Sequence, residues 1–165
     1  MSIIDGMIQE FQYETAQTRK MLERVPDQHF GWKPHEKSMT LVQLASHIAD
    51  IPSWVRDTLH KDEFVFNMKE YVPYIAPSTL QLVADFDERV KDSLDAMPGV
   101  SDADMFRNWR MVMDGQTLFD MPKVAVMRSF VLNHLVHHRG QLSVYLRLKD
   151  IPLPAIYGPS ADEQG

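Results

Sequence analysis

Ile4, Ile8, Phe11, Thr15, Thr18, Leu22 and Val25 follow one another at spacings of 4, 3, 4, 3, 4 and 3. That rhythm is the period of one inward stripe on an α-helix, and it predicts a helix from Ile3 to about Val25, ending before Pro26-Asp27. Three further segments carry the same period. A second helix opens near Ser38 or Thr40, whose hydroxyls can cap an orphan N–H, places Thr40, Leu44, His47, Ile51 and Trp54 inward, and ends near His60. Pro52 should kink it beside His47, because proline removes a donor and clashes with the carbonyl of Ile48. A third, capped by Ser78 or Thr79, turns Leu82, Phe86, Val90, Leu94 and Met97 inward and stops at Pro98-Gly99. The last runs from Pro122 to about Lys149 with Met127, Val131, His134, His138, Gln141 and Tyr145 as its inward stripe.

The intervening segments have a different character. Gln28 to His35 reads as an ordered loop, and residues 61–77 read as a long connection without regular structure. Trp109–Met113 and Gln116–Phe119 flank Asp114-Gly115, the dipeptide that favours a two-residue hairpin turn. Prolines forbid a helix over Ile151–Pro159, but its apolar content predicts that it packs back on the body. The expected fold is all-α, a four-helix bundle with a small β-hairpin before the last helix, forming a single domain over residues 1–165.

Composition narrows the function classes. The 165 residues are 44% hydrophobic and 24% charged, with no uninterrupted apolar run of the roughly 18 residues that a membrane helix needs. The N-terminus, Met1-Ser2-Ile3-Ile4-Asp5-Gly6, has neither a cationic segment nor a continuous apolar one, so a cytoplasmic protein is expected. Seventeen basic against 23 acidic side chains, a net charge of −6, argue against nucleic acid as a partner. No cysteine is present, which excludes disulfides, thiolate-bound zinc and a protein thiol nucleophile, and leaves the seven histidines as the main metal ligands.

His134 and His138 stand one helical turn apart, with Cβ atoms roughly 5–6 Å from each other, close enough for both rings to converge on one ion. Adding His47 from the facing helix gives three neutral nitrogen donors, the set that catalytic zinc sites use while leaving a position for water or substrate. Spacing alone leaves a hydrogen-bonded polar cluster in the core as the competing account. His29, His35 and His60 are expected to be solvated or capping residues, and Trp32 and Trp54 to be core. Arg139 should point away from the ion and pair with an acid on another helix or chain. Metal should dissociate as the pH drops below about 6.5, the ordinary imidazole value.

Asn133-His134-Leu135-Val136-His137-His138-Arg139-Gly140-Gln141-Leu142, preceded by Leu44-Ala45-Ser46-His47-Ile48, resembles the DinB/YfiT family, and Tyr157-Gly158-Pro159-Ser160-Ala161-Asp162-Glu163 is similar to a segment common in its members. The resemblance covers nearly the whole chain. It implies an up-down-down-up four-helix bundle, a homodimer, and a divalent metal, commonly zinc or nickel, bound by three histidines that fall on His47, His134 and His138. Members of the wider group resemble thiol S-transferases or thiol-dependent isomerases, which implies a small-molecule substrate and a low-molecular-weight thiol. A metal-dependent hydrolase, with Asp50 or His137 as general base, is the second expectation. A non-catalytic metal- or ligand-binding dimer is the third.

Overall fold

Ser2 accepts a hydrogen bond from the Asp5 N–H while the Asp5 carboxylate accepts one from the Ser2 N–H, and this reciprocal cap starts α1 (Ile3–Leu22). The structure is a computed structural model and describes residues 2–164. Thr40 and Gln43 cap α2 (Leu41–Asp50) in the same way. At Pro52 the expected kink is a full break: a 3₁₀ turn spans Ile51–Ser53 before the chain resumes as α3 (Trp54–His60). The Pro52 carbonyl is not left unpaired, because the Ser93 hydroxyl donates to it at 2.6 Å. Ser93 belongs to α4 (Thr79–Ala96), which Ser78 caps and which ends ahead of Gly99, a residue with φ of 83°. A short α5 (Asp102–Met105) follows.

The fold is mostly helical with a three-stranded sheet, which corrects the expected all-α class with a lone hairpin. β2 (Asn108–Met113) and β3 (Gln116–Pro122) form the predicted hairpin, and Asp114 and Gly115 adopt φ of 48° and 80°, the left-handed pair that a type I′ turn requires. The third strand, β1 (Glu63–Phe66), lies in the segment expected to lack regular structure and pairs parallel with β2, Phe64 opposite Met111. Four mostly exposed residues give little local signal, and a parallel partner is reached only through a long crossover, here the one that contains α4.

The last helix also departs from its expected form. Pro122 ends β3, and the helix begins as α6 (Lys123–Val126), passes through a π-helical turn at Met127–Leu132, and continues as α7 (Asn133–Arg147). A π turn holds one extra residue, so every inward position beyond it moves on by one. The buried side chains of α7 are accordingly Leu135, Arg139, Leu142 and Leu146, and the predicted stripe of His134, His138, Gln141 and Tyr145 becomes the flank of the helix. His47 is likewise half-buried beside a core row of Leu41, Leu44, Ala45 and Ile48. The histidines therefore border the core and face a cleft.

α4 and α7 each pack against both α1 and α2, and Phe11, Leu22, Leu44, Ile48, Phe86 and Leu142 fill the space between them. Ile151, Leu153 and Ile156 pack on this core, as expected of the tail. Among the described residues no helix is long and apolar enough to cross a membrane. Gly140 is exposed in mid-helix, and a Cβ built there would meet no atom within 4 Å. Gly140→Ala is therefore expected to stabilise the fold by about 0.5–1 kcal/mol in urea denaturation. A loss of stability instead would mean that another surface closes over this position.

Candidate metal centre

α2 and α7 bring three imidazoles together. The Nε2 of His134 lies 3.2 Å from the Nε2 of His47 and 2.8 Å from that of His138, and one nitrogen from each of the three lies within 4.8 Å of the others. Two outer contacts assign the tautomers. The Nδ1–H of His134 donates to the Phe130 carbonyl at 3.3 Å, and the Nδ1–H of His138 donates to the Gln141 side-chain oxygen at 2.8 Å. Each ring then presents a bare lone pair at Nε2, and these two lone pairs face each other.

That arrangement is a test of what the cluster can hold. A proton on the His47 Nε2 could bridge to His134, but the shorter His134–His138 contact would stay unbridged. A tetrahedral ion with metal–nitrogen bonds of about 2.05 Å separates its ligand atoms by roughly 3.3 Å. The observed 3.2 Å lies close to that spacing and the 2.8 Å contact inside it, and outer hydrogen bonds that fix ring orientation are what metal-bound histidines normally possess. The three residues fit a divalent ion.

Electrostatics agree with the geometry. Burial pushes the pKa of His47 down to about 4, with His138 adding repulsion, and burial with repulsion from His138 and His47 takes His134 to about 4. His138 is lowered chiefly by burial, against the opposing effect of its bond to Gln141. All three are neutral at pH 7, the form that binds metal. In the unfolded chain the same rings titrate near 6.5, so between about 6.5 and 4 the unfolded state binds more protons. The stability of metal-free protein should be full above pH 6.5 and decline as the pH falls toward 4, followed by urea titrations at fixed pH steps. Because burial disfavours protonation of all three rings, metal release from folded protein is expected at a lower pH than the ordinary imidazole value would give. A stability unchanged from pH 7 to 4 would contradict the neutral buried triad.

The other candidates sort by contact. His137 is exposed and outside the converging group, although its ring touches that of His138 at 4.9 Å. Asp50 makes no hydrogen bond to His47 and instead pairs with Arg89 at 3.6 Å. Arg139 is buried against Glu14, 2.7 Å away on α1, and therefore points away from the triad as expected. His35 is exposed, and His60 lies 2.7 Å from the Ala96 carbonyl, consistent with solvated and capping roles. Trp32 packs edge-on against Tyr145, and the Tyr145 hydroxyl bonds to the Met39 carbonyl rather than facing a cavity.

Trp54, expected in the core, packs against its edge half-buried and also borders open space. Its ring stacks on Phe130 at 4.8 Å and lies 5.3 Å from His134 and 5.7 Å from His47, making one wall of a cavity of about 490 Å³. The opposite wall comes from the sheet, where strand alternation puts Phe64, Phe66, Trp109 and Met111 around one space. A smaller cleft of about 320 Å³ contains His47 and shares Asp50 and Tyr71 with the larger cavity. Phe130 and the sheet-borne aromatics escaped sequence reasoning. The alternation of Phe64 with Phe66 and of Trp109 with Met111 was the available signal.

A family model described as the DinB family matches residues 1–164. The chain belongs to the DinB family. A relative, the uncharacterized protein YrdA of Bacillus subtilis (strain 168), is 25% identical over 161 residues, covering 97% of this chain and 91% of YrdA. Among solved structures, a DinB-like protein from Bacillus cereus ATCC 10987 superposes with a TM-score of 0.72 at 24% identity, covering 94% of this chain and 98% of that one. The DinB-like protein YjoA from Bacillus subtilis gives a TM-score of 0.68 at 18% identity, covering 90% and 95%. These likenesses establish a DinB-like fold, within which the three-histidine group could hold a metal ion.

Proposed function

We propose that His47, His134 and His138 hold a divalent ion, zinc or nickel, and that the protein is a metal-dependent thiol S-transferase-like enzyme built on an up-down-down-up four-helix bundle. The observation that carries the metal is the pair of Nε2 lone pairs facing each other at 2.8 Å with both outer nitrogens already bonded. A bound divalent ion would acidify a small thiol brought to it, supplying the nucleophile that a chain without cysteine lacks.

The chain's own residues favour S-transfer over hydrolysis. A hydrolase needs a side chain that takes a proton beside the ion. Asp50 is held by Arg89, and His137 is exposed and outside the converging group, so neither is a free base within the triad. Thiol transfer needs no such base once the thiol is deprotonated. What it needs is a wall that holds the electrophile next to the nucleophile and excludes water, and the stacked rings of Trp54 and Phe130 provide one. Assembly as a homodimer and a cytoplasmic location complete the proposal. Both stand on the family resemblance, and sedimentation of the metal-loaded chain tests the first.

The reaction class is tested by incubating metal-loaded protein with an aryl halide, an epoxide and a p-nitrophenyl ester, with and without added small thiols. Product that forms only with thiol supports the proposal. Loss of substrate without thiol would transfer it to the hydrolase class, and inertness toward all of them would leave a binding module.

A further inference from the structure

The large cavity has an unusual lining for a small-molecule site. Its volume of about 490 Å³ lies within the roughly 300–1,000 Å³ typical of such sites, and six aromatic residues contribute to its lining, Trp54, Phe64, Phe66, Tyr71, Trp109 and Phe130. The formally charged residues on its surface are both acidic, Asp50 and Asp57. Their cationic partners, Arg89 at 3.6 Å and Lys61 at 2.8 Å, are not part of the lining, and no lysine, arginine or histidine is. An anionic ligand would meet carboxylates and the negative faces of aromatic rings. A cationic one would be attracted by both.

We propose that this cavity is an aromatic cage for an organic ammonium group, which forms the charged end of the molecule transformed at the histidine triad. Several rings around a low-polarity space favour a cation through their quadrupoles, and the Asp50 and Asp57 carboxylates, each paired with a cation outside the lining, still present acceptor oxygens and no donor of positive charge to the space. The cage also reaches the triad. Trp54 touches the rings of His47 and His134, and Asp50 and Tyr71 line both the cage and the cleft that contains His47. An ammonium seated among the aromatics leaves the rest of the molecule directed toward the three imidazoles. As a statement about the substrate of that centre, this inference rests on the metal-centre proposal; as a binding site, it is separable from it.

The test is calorimetric titration of the full zinc-loaded chain with benzyltrimethylammonium, benzyl alcohol and benzenesulfonate, repeated on chelator-treated protein. The ammonium is expected to bind at least tenfold more tightly than the neutral alcohol, with no measurable binding of the sulfonate. Phe64→Leu and Asp57→Asn, both near the surface, should each weaken the ammonium five- to tenfold while leaving zinc stoichiometry unchanged. Equal affinity for the neutral probe, preference for the anion, or indifference to both substitutions would overturn the cage. Ammonium binding by a chain that takes up no zinc would remove the metal proposal and leave the cage standing, whereas zinc uptake without ammonium binding would do the reverse.

Discussion

Zinc or nickel added to the chelator-treated chain is expected to raise its melting temperature, and each of His47→Ala, His134→Ala and His138→Ala should abolish that rise. A ligand that binds only the folded state at about a hundred times its Kd contributes about 2.7 kcal/mol. For a chain of this size that corresponds to roughly 5–11 °C. An apolar substitution at one of these positions carries a second expectation that a merely structural cluster would not share. Two facing lone pairs at 2.8 Å repel in the metal-free protein, so replacing His138 by leucine should leave metal-free stability unchanged or higher while eliminating the metal-induced shift. Gln141→Ala, which frees the outer nitrogen of His138, should lower metal affinity about 10–100-fold without removing a ligand. No shift with either metal, together with less than a stoichiometric ion by elemental analysis, would reduce the triad to a polar cluster at the edge of the core.

The largest loss of stability is expected at Arg139. Its guanidinium is almost wholly buried, donates to the Glu14 carboxylate at 2.7 Å, to the Glu14 carbonyl at 2.9 Å and to the Thr18 hydroxyl at 3.1 Å, and also bonds to the Tyr157 hydroxyl. Tyr157 in turn donates to Glu14 at 2.7 Å, so one buried pair ties α1, α7 and the C-terminal tail together. Removing one partner leaves an uncompensated charge in a low-dielectric interior. Arg139→Leu is expected to cost about 3–5 kcal/mol, or roughly 6–20 °C in melting temperature. The double substitution Arg139→Leu with Glu14→Leu should recover much of that loss, because it removes the stranded carboxylate as well as its partner. A single variant within 1 kcal/mol of the parent would show that water reaches the pair and screens it.

Residues that act through local pattern were legible in the sequence, and those that act across the fold were not. The caps at Thr40 and Ser78, the stops at Pro26 and Pro98-Gly99, and the turn at Asp114-Gly115 are short-range chemistry and appear where the sequence puts them. The three histidines were found for the same reason: a spacing of four on one helix and a single histidine on another are local facts. β1 was missed because its partner lies some way along the chain, beyond α4, and the alternation of Phe64 with Phe66 is too short by itself to mark a strand. The aromatic cavity was missed with it, since half its wall is the sheet that β1 completes.

Sequence alone determined which segments are helical, where most of them begin and end, and which side chains converge near α2 and α7, because hydrophobic period, capping hydroxyls and prolines operate within a few residues of themselves. Tertiary structure decided which way those side chains face. The single residue added by the π turn at Met127–Leu132 turned Leu135, Arg139, Leu142 and Leu146 into the core and moved His134 and His138 onto its flank, where they meet His47 beside an open cavity. No local propensity specifies that rotation. It follows from packing one long helix against α1 and α2 at once while burying Arg139 on Glu14, a condition satisfied only when all three elements are in place.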